Sequence, residues 1–183
     1  MIKLYFWVEH KMGMNNIEIK KMNRNSIFRY MLNAKEVSKR EIAMEMRLST
    51  PTVTQILQGL VKAGLVEETG SMASEGGRKA LGFRGIPEAR CAVGVDITFS
   101  HVNVVVIDLA GNILYSKRYS IRIHNDKDSY DFLEKIVAEA IEESKMDPSR
   151  VLGVGISLPA IIQPDGREIC GMHEGMDLGF SLY

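Results

Sequence analysis

The stretch that most restricts what this chain can fold into is Ser49 to Gly64, STPTVTQILQGLVKAG. Val53, Ile56, Leu57, Leu60 and Val61 recur at helical spacing and form one apolar stripe, so one face of a helix is committed to a core. Ser49 offers a hydroxyl to the free amides of the first turn, and Pro51 sits where no amide partner is lost. Gly64 suits the left-handed residue that closes a helix. Thr50, Thr52, Thr54, Gln55, Gln58 and Lys62 lie off the stripe, and none is acidic. Any amphipathic helix fits that pattern. A hydroxyl-and-amide face at a helix N-terminus also carries the donors and acceptors that read base edges in the DNA major groove. Ser49, Thr50, Thr52, Thr54, Gln55 and Gln58 are therefore candidate DNA contacts.

What surrounds this helix favours that reading. From Asn23 a helical pattern places Ile27, Met31 and Ala34 on one face, widened by Phe28, Tyr30 and Leu32. Ser38-Lys39-Arg40-Glu41 is a capping box, starting a short helix with Ile42, Ala43 and Met46 as its apolar contacts. Arg47-Leu48 makes a tight turn before Ser49. A short helix, a tight turn and a longer helix with a polar start form a helix-turn-helix. Beyond Gly64 the period becomes that of strands. Leu65–Thr69 and Arg78–Arg84 flank a glycine-containing run, which reads as a hairpin wing whose Arg78 and Lys79 reach phosphates or a narrow minor groove. Charge agrees: residues 1–90 hold 15 basic and 9 acidic side chains (+6), and residues 91–183 hold 8 and 14 (−6), behind an overall balance of zero. A basic front half suits a polyanion. A winged helix used for protein contacts is the plainer alternative, and a salt-dependent shift with duplex DNA separates the two.

The opening MIKLYFWV is too short to span a membrane, and with Met12 and Met14 close behind, residues 1–20 are expected to be an N-terminal extension. Cys91 and Cys170 lack metal-site spacing and suit buried thiols of a reducing cytoplasm. After a linker at 85–90, strands are expected at Cys91–Ile97, His101–Leu109 and Ile113–Ile123. A helix follows, begun by Asp128 or Ser129 and facing a core with Leu133, Ile136, Val137, Ala140 and Ile141. Asp147-Pro148 ends that region, Val151–Leu158 is a buried strand, Gln163–Arg167 turns the chain, and a short strand lies near Ile169. The fold class is α+β in two domains: a winged helix-turn-helix at 21–84, then at 91–183 part of a ribonuclease-H-like lobe, the unit of sugar kinases and actin-like ATPases.

With these motifs together, the chain resembles the ROK-family transcriptional repressors, the group containing the xylose and N-acetylglucosamine regulators. The resemblance rests on LSTPTVTQILQGLVKAGLV, Gly76-Gly77-Arg78, Val93-Gly94-Val95-Asp96 and Gly153-Val154-Gly155-Ile156-Ser157-Leu158-Pro159, and covers about residues 20 to 183. It implies a cytoplasmic, sequence-specific repressor of carbohydrate-utilisation genes. The implied partners are a palindromic double-stranded operator, a second copy of the chain, and, in the full-length family, a small sugar effector. No membrane is implied, and no cofactor or metal is expected in this chain.

Three departures bear on chemistry. Kinases of the family carry Asp-x-Gly-Gly-Thr, whose glycines let backbone amides approach ATP phosphates. Here Asp96-Ile97-Thr98-Phe99-Ser100 puts Thr98 and Phe99 where glycines are needed, a degenerate loop that argues against ATP. Lys79-Ala80 replaces the usual prolines of the wing. The family's catalytic Asn-Asp, its sugar-binding residues and its zinc motif lie beyond Tyr183, so no position here inherits those roles. His101, His124 and His173 are scattered, and Ser157 is outside a nucleophile elbow, so no catalytic residue is expected. The alternative is a sugar kinase or ATPase fragment with an accessory winged helix. A partial lobe is also expected to leave Val154, Ile156, Leu158 and Ile161 poorly covered.

Overall fold

The structure is a computed structural model, and it describes residues 15–71, 80–162 and 169–172. Backbone contacts divide the chain into two compact units, parting between Ala89 and Arg90.

The first unit starts with α1 (Asn16–Asn33), seven residues earlier than the apolar pattern suggests. Asn15 explains the early start: its side chain accepts from the Ile17 and Glu18 amides while the Glu18 carboxylate accepts from its own N–H. Those first turns face water, so no periodicity betrays them. Two residues, β1 (Val37–Ser38), then lead into α2 (Lys39–Met46) and α3 (Thr50–Lys62). β2 (Val66–Ser71) and β3 (Leu81–Gly85) form the hairpin, and β1 pairs with the far side of β3, giving the order β1-β3-β2. Val37 lies opposite Phe83 and Glu67 opposite Arg84, all antiparallel.

The core of this unit takes Ile27 and Met31 from α1, Ile42 from α2, Val53, Leu57 and Leu60 from α3, and Val66 and Phe83 from the hairpin. Ile56 and Val61 pack at its edge, so the apolar stripe of α3 is used in full. Gly85 permits a close approach, because an added Cβ would meet backbone atoms of Met31 and Leu32 at 3.2 Å. Residues 85–90, expected to link two domains, are packed: Gly85 ends β3, the Ile86 amide donates to the Leu65 carbonyl at 2.9 Å, and a 3-10 turn at Pro87–Ala89 buries Ala89.

The second unit holds β4 (Cys91–Ile97), β5 (Val102–Asp108) and β6 (Ile113–Tyr119), then α4 (Lys127–Glu143) and β7 (Val151–Ser157). The sheet order is β6-β5-β4-β7, antiparallel except for the parallel pair β4·β7. β6 stops at Tyr119, short of the expected Ile123, although Ile123 is still buried in the core. α4 is capped by Asp126, two to three residues before the expected start. A last antiparallel pair joins β8 (Ala160–Ile162) to β9 (Ile169–Met172), and the expected turn at 163–167 lies outside the described residues.

Alternation sends Cys91, Val93, Val95 and Ile97 with Val102, Val104 and Val106 to a core shared with Ile136 and Ala140 of α4. Of the four residues expected to be poorly covered, Val154, Ile156 and Leu158 are half-buried against that core, and the Ile161 side chain lies outside those described. It is Leu152, 65% exposed, that faces solvent from β7. A register shift against β4, where Cys91 lies opposite Val151 but Val93 lies opposite Val154, breaks the alternation at Leu152. Among the described residues, no helix is long and apolar enough to cross a membrane.

Candidate nucleic-acid interface

α2 and α3 are positioned by caps. The Ser38 hydroxyl receives the Glu41 amide at 3.3 Å and the Glu41 carboxylate takes the Ser38 N–H at 2.7 Å, as the capping box requires. Accepting from the Ser38 N–H and, also at 2.7 Å, from the Ser38 hydroxyl holds the Glu41 carboxyl below its ordinary pKa, against a smaller opposing effect of burial. α2 then ends on Arg47, whose backbone is left-handed (φ 52°, ψ 44°) and whose N–H bonds the Ala43 and Met44 carbonyls. That conformation costs a residue with a Cβ about 1 kcal/mol relative to glycine. It lets the chain reverse in two residues, so that Ser49 caps α3.

At the start of α3, the Ser49 hydroxyl lies 3.4 Å from the Thr52 amide and 2.8 Å from the Thr52 hydroxyl. Thr50, Gln55 and Gln58 are exposed, whereas Thr52 and Thr54 are half-buried. At the other end the Gly64 amide reaches the Val61 carbonyl and the Leu65 amide reaches that of Leu60, with Gly64 at φ 66°. This is a Schellman closure, and Gly64 holds the position assigned to it.

The six candidates on α3 thus do not all look the same way. Thr54 and Gln58 border a groove shared with Lys39, Lys62, Glu68 and Phe83, between the helix pair and the hairpin. Gln55 lies on the outer face, and Ser49 and Thr52 are occupied with one another. Arg78 and Lys79 lie outside the described residues. The hairpin stem that carries them is regular up to a bulge between Glu68 and Gly70, and Arg84 is paired to Glu67 at 2.5 Å.

Three basic residues escaped the sequence reading. Lys39 lies in the groove with its ammonium 5.3 Å from the Phe83 ring centre, and Arg40 and Arg47 are exposed at the two ends of α2. The available signal was their order: Lys39 and Arg40 are the first two helical residues, where a positive charge opposes the helix dipole.

In the second unit the degenerate loop is a closed hairpin. The Thr98 amide and hydroxyl donate to the His101 carbonyl at 2.8 and 2.9 Å, and the Thr98 hydroxyl accepts from the His101 amide at 3.2 Å. Phe99 lies under the Arg122 guanidinium, 3.9 Å from ring centre to carbon, and Ser100 is 2.8 Å from the His101 ring. Asp96 accepts from the Asn103 side chain at 3.1 Å and borders a shallow depression with Gly94, Val105, Gly155 and Ser157. Among the described residues no group of three or more His, Cys, Asp or Glu is placed to hold a metal ion. A hairpin whose Thr98 amide and hydroxyl are already bonded to His101 does not offer the open backbone that a triphosphate needs.

Comparison with known proteins agrees with both halves of this geometry. Residues 26–73 match the MarR family and residues 92–178 match the ROK family. The chain is 24% identical over 160 residues to the xylose repressor of Caldicellulosiruptor bescii, which covers 85% of this chain and 39% of that protein. It is 24% identical over 149 residues to the xylose repressor of Bacillus subtilis, covering 81% and 39%. It is also 24% identical over 153 residues to the N-acetylglucosamine repressor of Escherichia coli O157:H7, covering 82% and 37%. A solved ROK family transcriptional regulator, a homologue of the E. coli MLC protein, superimposes with a TM-score of 0.59 at 21% identity. That match covers 79% of this chain and 37% of that one. The chain therefore spans under two fifths of the length of these relatives, and it carries a MarR-type helix-turn-helix segment followed by a ROK-family segment.

Proposed function

We propose that this chain belongs to a cytoplasmic, sequence-specific DNA-binding repressor of carbohydrate-utilisation genes and carries its DNA-binding unit with part of a sugar-sensing domain, the small sugar effector belonging to the full-length family. The observation that carries the reading is α3, capped at both ends and seated on its full apolar stripe, with uncharged Thr50, Gln55 and Gln58 left facing water. Gln55 and Thr50 read base edges, Thr54 and Gln58 border the groove towards the wing, and Ser49 and Thr52 set the helix start against a phosphate. Arg78 and Lys79 add wing contacts of limited sequence preference. The operator is palindromic and is read by two copies of the chain. No catalytic role and no cofactor belong to this reading, because the Thr98–His101 hairpin closes the place where a kinase would cradle phosphate.

Repeated selection from a pool of random duplexes tests it. The expected outcome is enrichment of one sequence whose two halves are inverted repeats, retained by the chain in a panel of pentoses, hexoses and amino sugars. A pool that stays random after selection rejects sequence-specific binding. An enriched site that a sugar does release rejects the reading of the second unit as only part of a sensor.

A further inference from the structure

We infer that Glu36 is a positioning residue for the wing, acting on the Thr69 hydroxyl across the space left by Gly82. This rests on the DNA-binding reading above and deepens it, since it names what sets the direction of the hairpin.

In the order β1-β3-β2, β3 is the middle strand, and Gly82 is paired on both sides, to Ser38 of β1 and to Gly70 of β2. Between Glu68 and Gly70 the register shifts, and Thr69 is the extra residue of that bulge. A bulge bends its strand and increases the local twist, so it re-aims what the strand carries next. This one stands in the stem. On one side Val66 and Phe83 are fixed in the core, and on the other the chain runs to the tip that bears Arg78 and Lys79.

Glu36, just before β1, reaches over the middle strand, and its carboxylate accepts from the Thr69 hydroxyl. The two residues are 33 positions apart, so no turn or cap brings them together. Gly82 makes the bond possible. An added Cβ there would run into the Glu36 carboxylate and the Thr69 hydroxyl, the two groups that bond. Gly82 does not have a positive φ, so its missing side chain serves space and not conformation. It is buried, whereas Glu36 and Thr69 are exposed. A single exposed bond adds little to stability. Its effect is on direction: the residue that the bulge leaves out of the ladder is tied to the opposite edge of the sheet.

The test is a salt titration of the full chain on a mixed-sequence DNA duplex, run as a double-mutant cycle of Thr69→Val and Arg78→Ala, with thermal unfolding of each variant. Thr69→Val removes the hydroxyl while keeping the Glu36 charge, the side-chain volume and the strand preference. In the parent, Arg78→Ala should reduce the slope of log affinity against log salt by about one. Thr69→Val should give the same reduction at the parent's unfolding temperature, and Arg78→Ala should then add nothing. Thr69→Ser should keep the parent's slope. Gly82→Ala, which displaces the carboxylate instead of the hydroxyl, should reproduce Thr69→Val. An effect of Arg78→Ala that is the same with and without the Thr69 hydroxyl overturns the inference, as does affinity lost only together with the fold. Either result leaves the wider reading standing. A parent that binds but is indifferent to Arg78→Ala overturns the inference and the wing contact, and a parent with no salt-dependent binding overturns the DNA reading too.

Discussion

Gln55 separates two kinds of contact at the level of single residues. It is exposed near the start of α3, and a glutamine amide pairs with adenine through two hydrogen bonds. Gln55→Ala is expected to cost about 1–3 kcal/mol on the selected operator and little on unrelated DNA. Competitive binding to the two duplexes measures it, and equal losses on both would make Gln55 a bystander to base reading. The capping box yields a second test, through pH. The Glu41 carboxyl titrates below its ordinary value because it accepts from Ser38 in the folded state. Its contribution is therefore fully present above the unfolded carboxyl's range, near pH 4, and is lost as pH falls through the lower folded value. Chemical denaturation of the parent and of Glu41→Gln should give stability curves that converge on acidification through that window. Curves that stay parallel would show that the box contributes nothing through charge.

Among these residues, legibility in sequence depended on whether a side chain had a local task. The Ser38–Glu41 box, the Ser49 cap and Gly64 announce themselves because their partners lie within four residues. Which of the α3 candidates face outward was not legible, since Thr54 and Gln58 border a groove made with residues from α2 and the hairpin. Arg47 was legible as a turn residue but not as a left-handed one, since that backbone is unexpected without glycine.

The same division holds for whole elements. β4 runs from Cys91 to Ile97 as its residue pattern indicates, because four buried side chains alternate with small or polar ones on the open face. α3 was equally plain, having a stripe and caps at both ends. β1 was not, since two residues carry no period and their pairing to β3 spans more than forty positions of sequence. The first turns of α1 were missed for a different reason: Ile17, Ile19 and Met22 are exposed there, so hydrophobicity and burial disagree. The 85–90 segment contains the division between the two units, at Ala89 and Arg90, and tight packing is the reason for Gly85. Gly85→Ala would force a methyl against the backbone at the end of α1, and overpacking of this kind costs about 1–3 kcal/mol. Urea unfolding of the variant should show that loss, and a variant as stable as the parent would mean that α1 shifts freely.

For the molecule as a whole, a basic front and an acidic back meet in a chain whose overall charge is zero, and the two units divide between Ala89 and Arg90. The second unit pairs a four-stranded sheet with α4, and its Asp96–Ser100 stretch turns in a hairpin held shut by the bonds between Thr98 and His101. ATP is accordingly expected to give no saturable heat in calorimetry with magnesium present. Micromolar binding would restore the kinase alternative. The central claim is that α3 reads sequence, and it is tested most directly by the ratio of affinities for the selected operator and a scrambled duplex of equal length, at physiological salt. The proposed function predicts a ratio of about a thousand or more, falling sharply in Gln55→Ala. Equal affinity for the two duplexes would contradict it.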